Sequence, residues 1–219
     1  MALVFDLLLP ACLALAAGEA APADPMAGLA DAAERIPGLQ VELKYSTADN
    51  FMGADAYGDL ERCLLQPAAV AMLAQASAAL RRMRPELRLR VYDCVRPVSV
   101  QRRMWQVVRG TPQQRYVANP NSRTGSIHNY GCAVDLTLAQ KDGTPLDMGT
   151  AFDHFGRAAQ PRHEFSMHRQ GKLSSEQWAN RLLLRQVMVA AGFIPIASEW
   201  WHFNSAPNHV VRKKYEKVP

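Results

Sequence analysis

The amino-acid sequence predicts a single α+β domain. Four stretches read as strands and three apolar stripes at helical spacing read as helices; strands and helices are interspersed around a hairpin-like unit, and no linker-like composition divides them.

The first 22 residues, "MALVFDLLLPACLALAAGEAAP", stand apart: they are apolar and end in small residues, with Ala14-Leu15-Ala16 suited to a signal peptidase. Asp6 interrupts the run and no Lys or Arg precedes it, so an uncleaved apolar segment or a misassigned start is the alternative. "LPAC" (9–12) loosely resembles a lipoprotein cleavage box. Residues 23–219 form the expected domain, and the expected location is periplasmic or secreted, with a cytoplasmic one as the alternative.

Within the domain, "VELKY" (41–45) alternates Val41, Leu43 and Tyr45 on one face, the two-residue period of a half-buried strand. Residues 67–84 switch to helical spacing, with Pro67 in the first turn and Val70, Leu73, Ala76, Leu80 and Met83 as one stripe. "ELRLRVYDC" (86–94) is a strand ending near Asp93. Pro97 opens a second helix carrying Val100, Met104, Val107 and Val108 and stopping at Gly110; residues 111–125, rich in Pro, Asn, Gly and Ser, make a loop. Ser174 and Gln177 have the spacing of a capping box for a third helix through Trp178, Leu182, Val187 and Met188, with Gly192 as its stop. "FIPIASEWWHF" (193–203) reads as a bent strand with Pro195 at an edge or kink.

The chain has 219 residues, 48% hydrophobic and 21% charged, which suits a soluble globular domain and gives disorder no support. No apolar run is long and clean enough to span a bilayer. Losing about the first twenty residues removes Asp6 and Glu19 but no basic residue, taking the formal charge from +5 to +7. The basic stretches "LRRMRPELRLR" (80–90) and "RKKYEK" (212–217) lack the interleaved aromatics that stack bases, so nucleic acid is not an expected partner; a weak attraction to an anionic cell envelope is. Of four cysteines, Cys12 would leave with the leader, and no CxxC pair supports a thiolate zinc site. In an exported protein Cys63, before a helix, and Cys94, ending the next strand, could form a disulfide; otherwise they are two small buried side chains.

The chemistry gathers around "SIHNYGCAVDLTL" (126–138). Period-two alternation sends Val134, Leu136 and Leu138 one way and Ala133, Asp135 and Thr137 the other, so Asp135 is the charged member of an otherwise small face. Gly131 allows a sharp turn that folds His128 back beside it. An imidazole and a carboxylate make two thirds of a metal site, and His202, in "EWWHF", is the best third ligand. Glu199, three residues earlier, could then accept a water proton and pass it to a departing amine, although HExxH itself is absent. Arg96, in "DCVRP", would face a developing oxyanion. On spacing alone a buried histidine also fits a hydrogen-bonded core residue, and an Arg before Pro a surface charge.

These segments match the SxHxxGxAxD and ExWH motifs of the zinc D,D-peptidases that share a fold with the Hedgehog signalling domain. With "STADNFMG" (46–53), "RCLL" (62–65), "VYDCVRP" (91–97), "MGTAFDHF" (148–155) and "AGFIPIASEWWHF" (191–203), in that order over about 35–205, the chain resembles the D-alanyl-D-alanine dipeptidases. The resemblance implies a central, mostly antiparallel sheet with flanking helices and one zinc ion per chain held by His128, Asp135 and His202. It also implies Glu199 as acid/base and Arg96 as transition-state stabiliser, with Ser126 near the carboxylate and Asp153 near the ammonium of a small D,D-dipeptide. Two further readings stay open: a D,D-carboxypeptidase for longer peptidoglycan stems, and a non-catalytic zinc-containing wall-binding module. An N₂O ligand set also accepts cobalt or nickel, so zinc follows from the family.

Two departures matter. Val95 stands where the family commonly has an aromatic residue, which would loosen packing behind Arg96. The apolar N-terminus is unlike the cytoplasmic resistance enzymes, so wall turnover or dipeptide salvage is the expected role. His154, His163 and His168 lie in a polar stretch and do not read as a second zinc site; Trp200 and Trp201 alternate, one for the core and one for a pocket wall. The sequence sets no oligomeric state.

Overall fold

A computed structural model describes residues 24–219; the apolar segment over 1–22, with Cys12, lies outside them. In chain order the elements are β1 (Ala30–Asp31), α1 (Ala32–Arg35), β2 (Gln40–Val41), β3 (Leu64–Leu65), α2 (Pro67–Met83), β4 (Leu87–Asp93), α3 (Val98–Val108), β5 (Ala133–Gln140), α4 (Glu164–Arg169), α5 (Ser175–Ala190), β6 (Ile194–Pro195), β7 (His202–Asn204) and α6 (Asn208–Lys214). The main sheet runs β2-β4-β5-β7-β6, with β2 parallel to β4 and every other pairing antiparallel; β1 and β3 form a separate ribbon. This is the α+β architecture expected. No helix among the described residues is long and apolar enough to cross a membrane.

The core follows from the two periodicities. Leu87, Leu89 and Val91 on β4 and Val134, Leu136 and Leu138 on β5 are wholly buried against α2 and α5, each large side chain contributing about 1.5–3 kcal/mol through apolar burial. Ser174 caps α5 reciprocally with Gln177, a device worth about 1 kcal/mol. Each of the three stripes read from the sequence has a member that faces outward instead. Met83, Val107 and Leu182 are exposed, and on α5 it is Arg181 that turns inward with Leu184, Val187 and Met188, its Nε donating to the Met148 carbonyl and its Nη1 to the Ala158 carbonyl beside the Glu164 carboxylate.

Three strand expectations need correction. The 41–45 strand is only two residues long: after Glu42 donates to the Val91 carbonyl the chain tightens into a 3₁₀ turn, Lys44–Ser46, which swings Tyr45 out of the sheet. Residues 126–138 are not a hairpin; a capped 3₁₀ turn, Ile127–Tyr130, leads into β5, whose partners β4 and β7 are distant in sequence. The 193–203 strand breaks into β6 and β7, with Pro195 on the edge strand, where a missing N–H does no harm.

Candidate metal centre and its cleft

Sheet register creates half of the site. Asp135 on β5 lies directly opposite His202 on β7, so two residues 67 apart in sequence become cross-strand neighbours on the face away from the helices. His128 arrives from the 3₁₀ turn. Ser126 caps that turn by accepting from the His128 amide (3.3 Å) while Asn129 accepts from the Ser126 amide (2.9 Å), and Gly131 closes it in the left-handed region (φ 65°). Two bonds stitch the turn to the end of β4: the Arg96 amide donates to the His128 carbonyl (3.0 Å) and Asn129 Nδ2 to the Arg96 carbonyl (2.8 Å).

The three side chains are buried and converge. His128 Nε2 lies 3.1 Å from His202 Nδ1 and 3.3 Å from Asp135 Oδ1, and His202 Nδ1 lies 2.9 Å from the same Asp135 oxygen. The His128 Nδ1 edge faces the Cys94 carbonyl at 2.7 Å, and a carbonyl only accepts; the ring proton therefore sits on Nδ1 and leaves a lone pair on Nε2. Burial alone would raise the Asp135 pKa, but the positive charge of His128 and His202 and the hydrogen bonds they donate when protonated overcome it and hold the carboxyl below its ordinary range. Two imidazole nitrogens and a carboxylate oxygen turned on one point with no apolar spacer are the donor set a divalent cation takes, and these residues fit one.

A cleft of about 300 Å³ opens over this point. Arg96, Ser126, Asp153 and Glu199 all line it with His128, Asp135 and His202, so the residues singled out for metal, catalysis and substrate border one space. Glu199 sits in the bend between β6 and β7, half-buried; its burial, with Asp135 and Asp153 nearby, pushes its carboxyl up to about 7. Arg96 is held from behind by Asp93 (Nε to Oδ2 3.0 Å) and by Gln101 (3.1 Å), and its Nη2 stands 3.7 Å from Asp135 Oδ2.

Asp153 is the only non-glycine among the described residues with positive φ (59°), a conformation that aspartate tolerates better than most. Its Oδ2 accepts from the Tyr45 hydroxyl (2.7 Å), and burial, chiefly, lifts its carboxyl to about 7. The surrounding loop is tied down by Arg181 and by Trp200 Nε1 on Thr150 Oγ1 (2.8 Å). Phe51, Phe155 and Tyr116 wall the cleft beyond Asp153, with ring centroids 5.1 Å apart for the first pair and 5.5 Å for the second.

Sequence reading missed Tyr45, Asp93 and these three rings. Asp93 alone left a signal, a charged residue ending an apolar strand, and a β-bulge between Val91 and Asp93 is what turns it to Arg96, Tyr57 and the Cys94 amide. Val95 leaves no looseness behind Arg96, because Leu64 and Val218 pack on it. Cys63 and Cys94 are joined in a disulfide (Cα–Cα 5.2 Å), and Cys132 is free and buried. His154 edges the cleft, and His168 stacks near Trp178; neither belongs to a metal-holding group among the described residues. Both tryptophans are buried, with Trp201 lining the cleft.

A family model described as D-ala-D-ala dipeptidase, Peptidase_M15, matches residues 25–219. Among curated relatives, the chain is 39% identical over 175 residues to a D-alanyl-D-alanine dipeptidase of Escherichia coli (80% of this chain, 83% of the relative). It is 30% identical over 183 residues to one of Synechocystis (70% and 73%) and 28% identical over 184 residues to one of Enterococcus faecalis (78% and 87%).

Proposed function

Because the chain belongs to the D-ala-D-ala dipeptidase family of peptidases, we propose that it hydrolyses D-alanyl-D-alanine to D-alanine in a zinc-dependent reaction, with Glu199 as the proton carrier. The observation that carries this reading is the convergence of His128, Asp135 and His202 beneath a cleft that also holds Glu199 and Arg96. When bound there, zinc lowers the pKa of water towards about 7 and polarises a carbonyl.

The protein's own groups supply the rest. Glu199, with a carboxyl near neutrality, takes a proton from the attacking water and returns it to the departing amine. Arg96, always charged and braced by Asp93, faces the oxygen that gains negative charge. Ser126 keeps its hydroxyl proton to donate while its oxygen caps the turn, which suits the substrate carboxylate; Asp153 pairs with the free ammonium. Pairing both ends of a short peptide disfavours a longer chain, whose extension would leave Asp153 unpaired and meet Phe51 and Phe155. That wall favours the dipeptide over a longer stem as substrate, and the retention of Glu199 and Arg96 in the cleft favours catalysis over wall binding alone. We place the reaction in the cell envelope, in wall-peptide turnover or salvage, on the strength of the apolar N-terminal segment and the Cys63–Cys94 disulfide.

The test is D-alanine release from D-Ala-D-Ala by purified protein, with and without a chelator, beside the L,L isomer and a pentapeptide ending in D-Ala-D-Ala. Release from the dipeptide alone, abolished by chelation and restored by zinc, is expected. Equal turnover of the pentapeptide would move the reading to a carboxypeptidase, and chelator-resistant turnover would end the metal mechanism.

A further inference from the structure

His202 has two ring nitrogens, and only Nδ1 faces Asp135 and His128. Its Nε2 points the other way, 2.8 Å from Oδ1 of Asn204, two residues further along β7 and itself buried. The Asn204 Nδ2 lies 3.4 Å from Oδ1 of Asn208, in the first turn of α6. An amide oxygen only accepts and an amide nitrogen only donates, and in this arrangement the Asn204 nitrogen is turned to Asn208 and its oxygen to the ring. The Asn204 oxygen in turn calls for a proton on His202 Nε2.

From this chain of contacts we infer that Asn204 is a positioning residue, holding the His202 ring so that Nδ1 presents its lone pair to the metal. The inference rests on, and deepens, the reading of His128, Asp135 and His202 as a metal centre. The two imidazoles are held in opposite senses. His128 is gripped at Nδ1 by a backbone carbonyl and offers Nε2; His202 is gripped at Nε2 by a side chain and offers Nδ1. Only the second grip can be removed by one substitution. Without it, the Asp135 carboxylate, 2.9 Å from Nδ1, is the acceptor left to draw the ring proton to that nitrogen, and a protonated Nδ1 cannot ligate.

The experiment compares wild type, Asn204→Leu, Asn204→Asp and Asn208→Ala by two readouts. One is zinc affinity by chelator competition; the other is the ¹⁵N and ring N–H signature of His202 in metal-free protein. Asn204→Leu keeps the volume and removes the acceptor: zinc affinity should fall about 10–100-fold, and the hydrogen-bonded Nε2–H should be lost. Asn204→Asp keeps an acceptor and should retain both. Asn208→Ala, at an exposed position, frees the amide to turn over and should lower affinity in the same direction by less. Zinc affinity of Asn204→Leu within twofold of wild type, an unchanged ring N–H, or an Asn204→Asp loss as deep as that of Asn204→Leu would overturn the inference. A wild type that takes up no zinc would sink the metal-centre reading itself, while the metal-free ring signature would still decide what Asn204 does.

Discussion

The two sides of the cleft are held by different kinds of structure. On the metal side, Asp135 and His202 face each other across a strand ladder, and His128 comes from a turn closed by a reciprocal cap and a left-handed glycine. On the opposite side, Asp153 sits in a strained loop, and Phe51, Tyr116 and Phe155 come from three separate loops. A ligand set must be fixed to within about 0.5 Å before its metal arrives, and a sheet supplies that at no further entropy loss. Groups that take hold of a peptide's ends must admit and release it, which loops do better.

If this division is real, chemistry and binding should separate by side. Glu199→Gln, at the junction of the two, removes the proton carrier but keeps the shape. Turnover of D-Ala-D-Ala should fall about 10²–10⁴-fold with bound zinc unchanged. Turnover within tenfold of wild type would show that the proton moves by another route, and loss of zinc would show that Glu199 belongs to the metal side.

On the loop side, Asp153→Asn is the sharper probe, because asparagine accepts positive φ and can still bond to Tyr45. What it loses is the charge opposite the ammonium. A hydrogen bond to a charged group contributes about 1.5–3 kcal/mol, so kcat/KM should fall about 10–100-fold, chiefly through KM, with zinc affinity within twofold of wild type. A matching loss of zinc would mean that the sides are coupled rather than separate.

The same division decided what the sequence could reveal. Val134, Leu136 and Leu138 alternate so strictly that the face carrying Asp135 followed from the letters, and the ExWH and SxHxxG motifs are short because each is one local structure. Asp135 opposite His202 is a matter of register, which periodicity could not supply; a histidine on an apolar strand and the resemblance to a family pointed to His202 as a ligand without placing it across from Asp135. The spacing of Tyr45 suits a strand; the turn at Lys44–Ser46 is held by bonds to residues outside those five letters, among them Tyr45 to Asp153, Ser46 to the Leu60 carbonyl and Asn50 to the Lys44 carbonyl. The aromatic wall left no pattern, since Phe51, Tyr116 and Phe155 meet only after three loops close. Arg181 was overlooked because a charged residue inside a helix stripe is read as solvated until its carbonyl partners are known.

The smallest expected effect concerns the metal-free protein and the pH at which it melts. Burial lifts the carboxyls of Asp153 and Glu199 from 3.8 and 4.5 to about 7. A carboxyl whose folded pKa exceeds its unfolded one favours folding while protonated; that contribution is whole below about 4 and is lost as pH rises through 7. His128, raised by Asp135 and Asp93 against its burial, acts with the same sign: its contribution is present below its unfolded value and lost as pH rises through the folded one. Asp135 works oppositely, but its contribution is lost only as pH falls below about 4. The metal-free melting temperature should therefore decline between pH 5 and 8, by roughly 2–4 °C for each kcal/mol lost. Asp153→Asn should flatten part of that decline. Bound zinc should flatten more of it, because a divalent charge on the metal side favours the ionised carboxylates across the cleft. A metal-free melting temperature that rises over this range would mean that the Asp153 and Glu199 carboxyls are already ionised without the metal, and that the loop side is wetter and more open than its contacts imply.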